Sequence, residues 1–130
     1  MTILETDDYE AGGRAVAVPD LYSDQNPKNA HSAARANFIV ARSGPGRLIG
    51  FSVYSNKGTA QFILLFDLAG LPADGALPDI PFTVAATSNL GVYYGPAGRW
   101  HSAGVVICNS TTDNAKTIGL ADCWFDVQVI

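Results

Sequence analysis

The chain has 130 residues, 48% of them hydrophobic, 15% charged and 10% aromatic, with a formal net charge of −4. That length and composition describe one packed domain and exclude a disordered chain. The acidic balance and the scatter of the eight basic residues argue against a phosphate backbone as ligand, and no apolar run is long enough to span a membrane.

Residues 1–36 read as an extended N-terminal arm. Glu5, Asp7, Asp8 and Glu10 give an acidic start, followed by Gly12-Gly13 and a turn-rich stretch with little periodicity. One short strand is expected within the arm, at Arg14–Val18, and Ala30–Ala36 is too short to stand alone as a helix. The start has neither the basic n-region nor the apolar h-region of a Sec leader, so assembly in a cytosol is expected.

From Asn37 onward the pattern is regular. Strands are expected at Asn37–Ala41, Arg47–Ser55, Ala60–Leu68, Ile80–Ala86, Leu90–Tyr94, Gly104–Asn109 and Asp122–Ile130. Clusters of Gly, Pro, Asn, Asp and Ser separate them, the mark of an all-β protein. The expected fold is an antiparallel β-sandwich or jelly-roll-like domain over 37–130.

Alternation assigns the faces. Ile49, Phe51 and Val53 share one side of their strand, with Ser52 and Tyr54 opposite. Cys123, Phe125, Val127 and Val129 oppose Trp124, Asp126 and Gln128. Two strands break this two-sided rule. "QFILLFD" and Val105–Cys108 are apolar on both faces. In the first, Phe62, Leu64 and Phe66 fill one face, leaving Ile63 and Leu65 to be covered. The cover is the arm (Ala15–Val18, Leu21-Tyr22), a loop or another protomer. "VYSNKGTAQFILLFD" and "VICNSTTDNAKTIGLADCWFDV" each read as a hairpin, strand–turn–strand with a closing aspartate.

Chemistry-bearing constellations are sparse. His101-Ser102 resembles a hydrolase dyad only by adjacency, a poor geometry for base and nucleophile. Asp67, Asp74 and Asp79 flank one loop without calcium-loop spacing and read as turn residues. Cys108 and Cys123 read as reduced, buried residues, with a disulfide between adjacent strands as the alternative. The glycine loops at 44–47 and 95–99 lack a phosphate-loop ending. No cofactor or metal is expected. Tyr54, Tyr93, Tyr94, Trp100 and Trp124 remain as outward aromatics able to anchor an interface or stack on a sugar.

From Arg47 to Ile130 the chain resembles small virion proteins of tailed bacteriophages. The elements that carry the resemblance are "GFSVYSNKGTAQFILLFD", "LPADGALP", "GVVICNSTTDNAKTIG" and "DCWFDVQ". The resemblance implies a non-enzymatic structural component, foremost a capsid decoration (cement) protein on the virion surface. Its partners would be the major capsid protein and further copies of the chain, a trimer being favoured, with neither nucleic acid nor membrane bound. Ile63, Leu65, Tyr93, Tyr94, Trp100 and Trp124 are the interface candidates. The alternative is a tail, fibre or adhesin module binding a cell-surface glycan, with its aromatics gathered at one loop end around Trp100.

Overall fold

The computed structural model describes residues 27–130 as two antiparallel sheets packed face to face. The expected strand at Arg14–Val18 and the arm residues proposed to cover Ile63 and Leu65 lie outside the described residues. The strands are β1 (Lys28–His31), β2 (Phe38–Arg42), β3 (Gly46–Ser55), β4 (Gln61–Phe66), β5 (Ile80–Val84), β6 (Ser88–Tyr93), β7 (Arg99–His101), β8 (Val105–Ser110) and β9 (Cys123–Val129). The first sheet runs β1-β9-β3-β6, with β7 paired to the N-terminal end of β3; the second runs β2-β8-β4-β5.

The pairing is nested. β4 pairs with β5, β3 with β6, β2 with β8 and β1 with β9. A long hairpin rolled around a core gives this order, which is that of a jelly roll. The all-β expectation therefore holds, and the topology selects the jelly roll from the architectures it allowed.

The rolling also explains two differences from the sequence reading. β3 and β4 lie in different sheets, as do β8 and β9. The two expected hairpins are therefore crossings from one sheet to the other. Asn/Ser-rich turn chemistry is common to both kinds of connection and does not tell them apart.

Two further strands were not expected. β1 lies inside the stretch read as arm, yet it pairs residue by residue with β9, and Ala36 bridges to Cys123 beyond it. Residues 28–36 thus belong to the first sheet's edge. "KNAH" has no apolar alternation, because only one of its residues is even half-buried. β7 is three residues long, too short for any periodicity to show.

The core between the sheets contains Leu48, Phe51, Val53, Ile63, Leu65, Ile107, Phe125 and Val127, all buried. Phe51 and Phe82 meet edge-to-face across it, with ring centroids 5.4 Å apart. A β-bulge between Leu48 and Gly50 resets the alternation of β3. Leu48 consequently joins Phe51 and Val53 in the core, while Ile49, expected there, sits outside that cluster. Its carbonyl accepts from Tyr94 N–H at 2.8 Å.

β4 is likewise reversed. Ile63 and Leu65 face the sheet–sheet core, and the outer face is that of Phe62, Leu64 and Phe66. Leu64 and Phe66 form a second cluster with Val106 and Cys108, packed against Phe62, Leu71, Ala76 and Ile118. The latter three belong to the loops 67–79 and 111–122, which close over the second sheet. The apolar excess of "QFILLFD" is thereby covered within the chain on both sides. Each such fully buried side chain contributes on the order of 1.5–3 kcal/mol.

Ile63→Asp is therefore expected to abolish folding, read as loss of the far-UV strand signal and of dispersed amide resonances. Leu64→Ala, under the loops, should cost about 2–5 kcal/mol in denaturant unfolding without changing the fold. A folded, monomeric Ile63→Asp protein would contradict the inward placement of that side chain.

Candidate functional site

Among the described residues, nothing covers the outer face of the first sheet. Its inner strands β9 and β3 present every second residue outward, and the register sets them in rows. His31, Asp126 and Ser52 form one row, and Trp124, Tyr54 and Asn89 the next. Gln128 and Asn29 form a third, joined by a hydrogen bond of 3.2 Å from Gln128 Nε2 to Asn29 Oδ1. One side of the face is raised into a wall where the chain leaves β1. Ser32 holds that wall to β9: its N–H donates to Phe125 O at 3.0 Å, and its hydroxyl accepts from Phe125 N–H at 3.0 Å. Between the wall and the aromatic row lies a groove of about 570 Å³. Asp126 lines it, and its enclosed carboxylate oxygen, Oδ1, has no hydrogen-bond partner among the described residues.

The six interface candidates are dispersed. Ile63 and Leu65 have no exposed surface and lie between the sheets, so neither reaches a partner. Tyr94 is half-buried against the core, and its hydroxyl has no partner among the described residues. Tyr93, Trp100 and Trp124 are 72%, 59% and 42% exposed. Trp100 lies on β7 beneath Arg47, whose guanidinium carbon is 5.9 Å from the ring centroid. Trp124 is paired with Tyr54, seven positions along β3 from Arg47. At about 3.3 Å per residue the two tryptophans are separated by roughly 20 Å. The aromatics do not gather at one loop end. Sequence reasoning found Trp124 and Tyr54 by alternation but missed Asn29, His31 and Asn89. The first two were assigned to the arm, and an exposed asparagine beside a turn carries no distinguishing signal.

The His101-Ser102 pair is structural. His101 is fully buried, and its Nδ1 lies 2.8 Å from Gly104 O. A carbonyl only accepts, so Nδ1 carries the proton. Ser102 Oγ donates to Asp67 Oδ2 at 3.2 Å, a carboxylate whose other oxygen lies 3.9 Å from His101 Nδ1. Asp67, which ends "QFILLFD", also accepts from the backbone N–H groups of Ser102 (3.0 Å), Ala103 (2.8 Å) and Gly104 (3.2 Å). Burial alone would raise its pKa, but those donors outweigh it and hold the carboxyl at about 2. The clamp needs a glycine at 104, because a Cβ there would stand 2.4 Å from Leu68 O and 2.5 Å from Arg42 O.

The other acids of that loop also have separate partners. Asp74 binds Lys116 Nζ and the N–H of Ile118; the Lys116 hydrogen bond, first, and the Ile118 N–H lower its pKa. This pair ties the two covering loops together. Asp79 lies 3.6 Å from Arg99. The three carboxylates thus serve three different contacts, with no shared cation position among them.

At one end of the core the two sheet crossings meet in a buried polar network. Gln61 Nε2 donates to Ser55 Oγ (2.7 Å) and Asp122 Oδ1 (3.0 Å), and Asn109 Nδ2 donates to Asp122 Oδ1 (2.9 Å) and Leu120 O (2.8 Å). Cys123 borders this network and Cys108 lies under the covering loops; both thiols are free and buried. Burial, first, pushes each up to about 12, so they behave as apolar groups.

No protein family model and no curated protein matches the chain. Among solved structures, the Tobacco streak virus coat protein aligns over 87% of this chain and 90% of its own, at 10% identity and a TM-score of 0.40. A likeness of that degree transfers neither residues nor activity.

Asp67→Asn keeps the shape of the clamp and removes its charge. The carboxyl's folded pKa is depressed, so its contribution is full above about pH 4 and fades as pH falls toward 2. At pH 7 the variant should lose about 1–2 kcal/mol. The parent's stability should fall more steeply than the variant's between pH 4 and 2, read from urea midpoints at each pH. Parallel pH profiles would rule out the clamp as a stabilising contact.

Proposed function

We propose that this chain is a non-enzymatic structural protein of a bacteriophage particle. In this reading it is a capsid decoration protein that seats on the major capsid protein as an oligomer, a trimer being favoured. The observation that carries this reading is the outer side of the second sheet. Phe38 and Val40 on β2, Leu68 and Leu77 on one covering loop, and Leu120 on the other are all exposed large apolar residues, Leu77 and Leu120 by 76% and 77%. Exposed aliphatic side chains on β2 and its covering loops, set on a rigid domain, suit a protein that is itself a covering.

The residues behind the phage resemblance support the same reading. Gln61 and Asn109 join the sheet crossings, Asp67 clamps the β7–β8 turn, and Asp74 binds the two covering loops. In this chain those residues act as scaffold clamps, which suits a rigid covering domain. Jelly rolls are used in viral capsid domains and in lectins, an analogy at the level of the fold alone.

Cryo-electron microscopy of particles carrying the chain is the direct test. Density on the capsid lattice is expected, arranged as trimers, and density confined to the tail would sink the proposal. With purified heads, Phe38→Asp combined with Leu120→Asp should weaken binding by at least about tenfold, or 1.4 kcal/mol, while leaving the melting temperature within a few degrees. Undiminished binding would exclude the second sheet's outer side as the seat.

A further inference from the structure

We propose that the groove on the outer face of the first sheet binds a neutral oligosaccharide. The site is separate from the apolar side assigned to the capsid, so the two can be occupied together.

The groove floor decides what kind of ligand can be recognised. It is built on β9 and β3, which are inner strands with partners on both edges. Their backbone donors and acceptors are spent in the sheet, so an extended peptide finds no strand edge to pair with there. Recognition falls to side chains. These are an exposed indole, Trp124, beside the Tyr54 ring, with the amides of Asn29 and Asn89, the Ser52 hydroxyl and the Asp126 carboxylate around them.

That set matches the two-sided chemistry of a pyranose. The apolar C–H face of the sugar lies against the electron-rich face of an aromatic ring. Around its rim, each hydroxyl both donates and accepts, as each asparagine amide does, and adjacent hydroxyls can share one amide. Asp126, which lines the groove, adds a carboxylate that can only accept hydrogen bonds, a fit for a sugar hydroxyl and not for an anion. A few placed polar groups around a ring are what fix orientation in a small-molecule site.

Charge narrows the class further. Among the described residues that line the groove, the ionisable side chains are His31, Tyr54 and Asp126; none is a lysine or arginine. With Asp126 in the floor and a net charge of −4, sialylated, sulfated and phosphorylated glycans are disfavoured. Neutral hexoses and N-acetylhexosamines remain.

The test uses the isolated full-length chain, so its outcome is independent of any capsid. An array of neutral hexose and N-acetylhexosamine oligosaccharides, with sialylated and sulfated ones alongside, is probed first. The best neutral ligand is then titrated by calorimetry. Neutral binders are expected, with affinity reduced at least tenfold by Trp124→Ala and several-fold by Asn89→Ala. Trp100→Ala, at the far end of β3, should bind within twofold of the parent. Melting curves of the variants should overlay, and if Trp124→Ala unfolds, Asn89→Ala and Trp124→Phe carry the comparison. The proposal is overturned by an array with no neutral binder, by binding of acidic glycans alone, or by ligands whose affinity Asn89→Ala and the Trp124 variants leave unchanged.

Discussion

Everything in this sandwich is arranged around a strand that is apolar on both faces. β4 lies inside the second sheet, between β8 and β5, and each of its faces needs a cover. Ile63 and Leu65 are covered by the first sheet, Phe62, Leu64 and Phe66 by two loops. A loop is a poor lid unless something holds it, since its backbone is short of partners and its entropy is high. The acids supply the hold. Asp67 gathers three backbone N–H groups where one loop begins, and Asp74 reaches Lys116 on the other. The lids therefore count as part of the core.

That arrangement gives the molecule two unlike exteriors. The second sheet is shut by its loops, and the surface they present is rich in exposed leucine. The first sheet carries no lid among the described residues, and its outward residues are polar groups and aromatic rings. It is therefore free to display amides, a carboxylate and an indole in fixed rows set by strand register. Rigid strands position such groups more accurately than loops do.

The strands of the regular region were legible in the sequence to within a residue or two at most ends. Alternation in β9 gave the right faces, since one side is apolar throughout. β3 was misread at its start because a bulge at Leu48/Gly50 changes the phase, and a bulge leaves no reliable mark on apolar alternation. β4 was misread because no alternation exists in a strand covered on both sides; which face meets the partner sheet is decided by register with β8. β1 was missed for the opposite reason, as an edge strand whose residues are almost all exposed. The groove was half legible. Its aromatic row followed from alternation, whereas its wall depends on β1 lying beside β9, a pairing nearly a hundred residues apart in the chain.

The β1–β9 ladder also sets how the domain would carry load. Lys28 sits opposite Val129, so the chain enters and leaves the sandwich at one corner. Tension applied between that entrance and that exit would strain the rungs of the ladder singly, from Lys28 inward, as in opening a zip. Force arriving through the broad faces is instead shared by the whole core. Such a domain resists being pressed or sheared far better than being peeled by its ends.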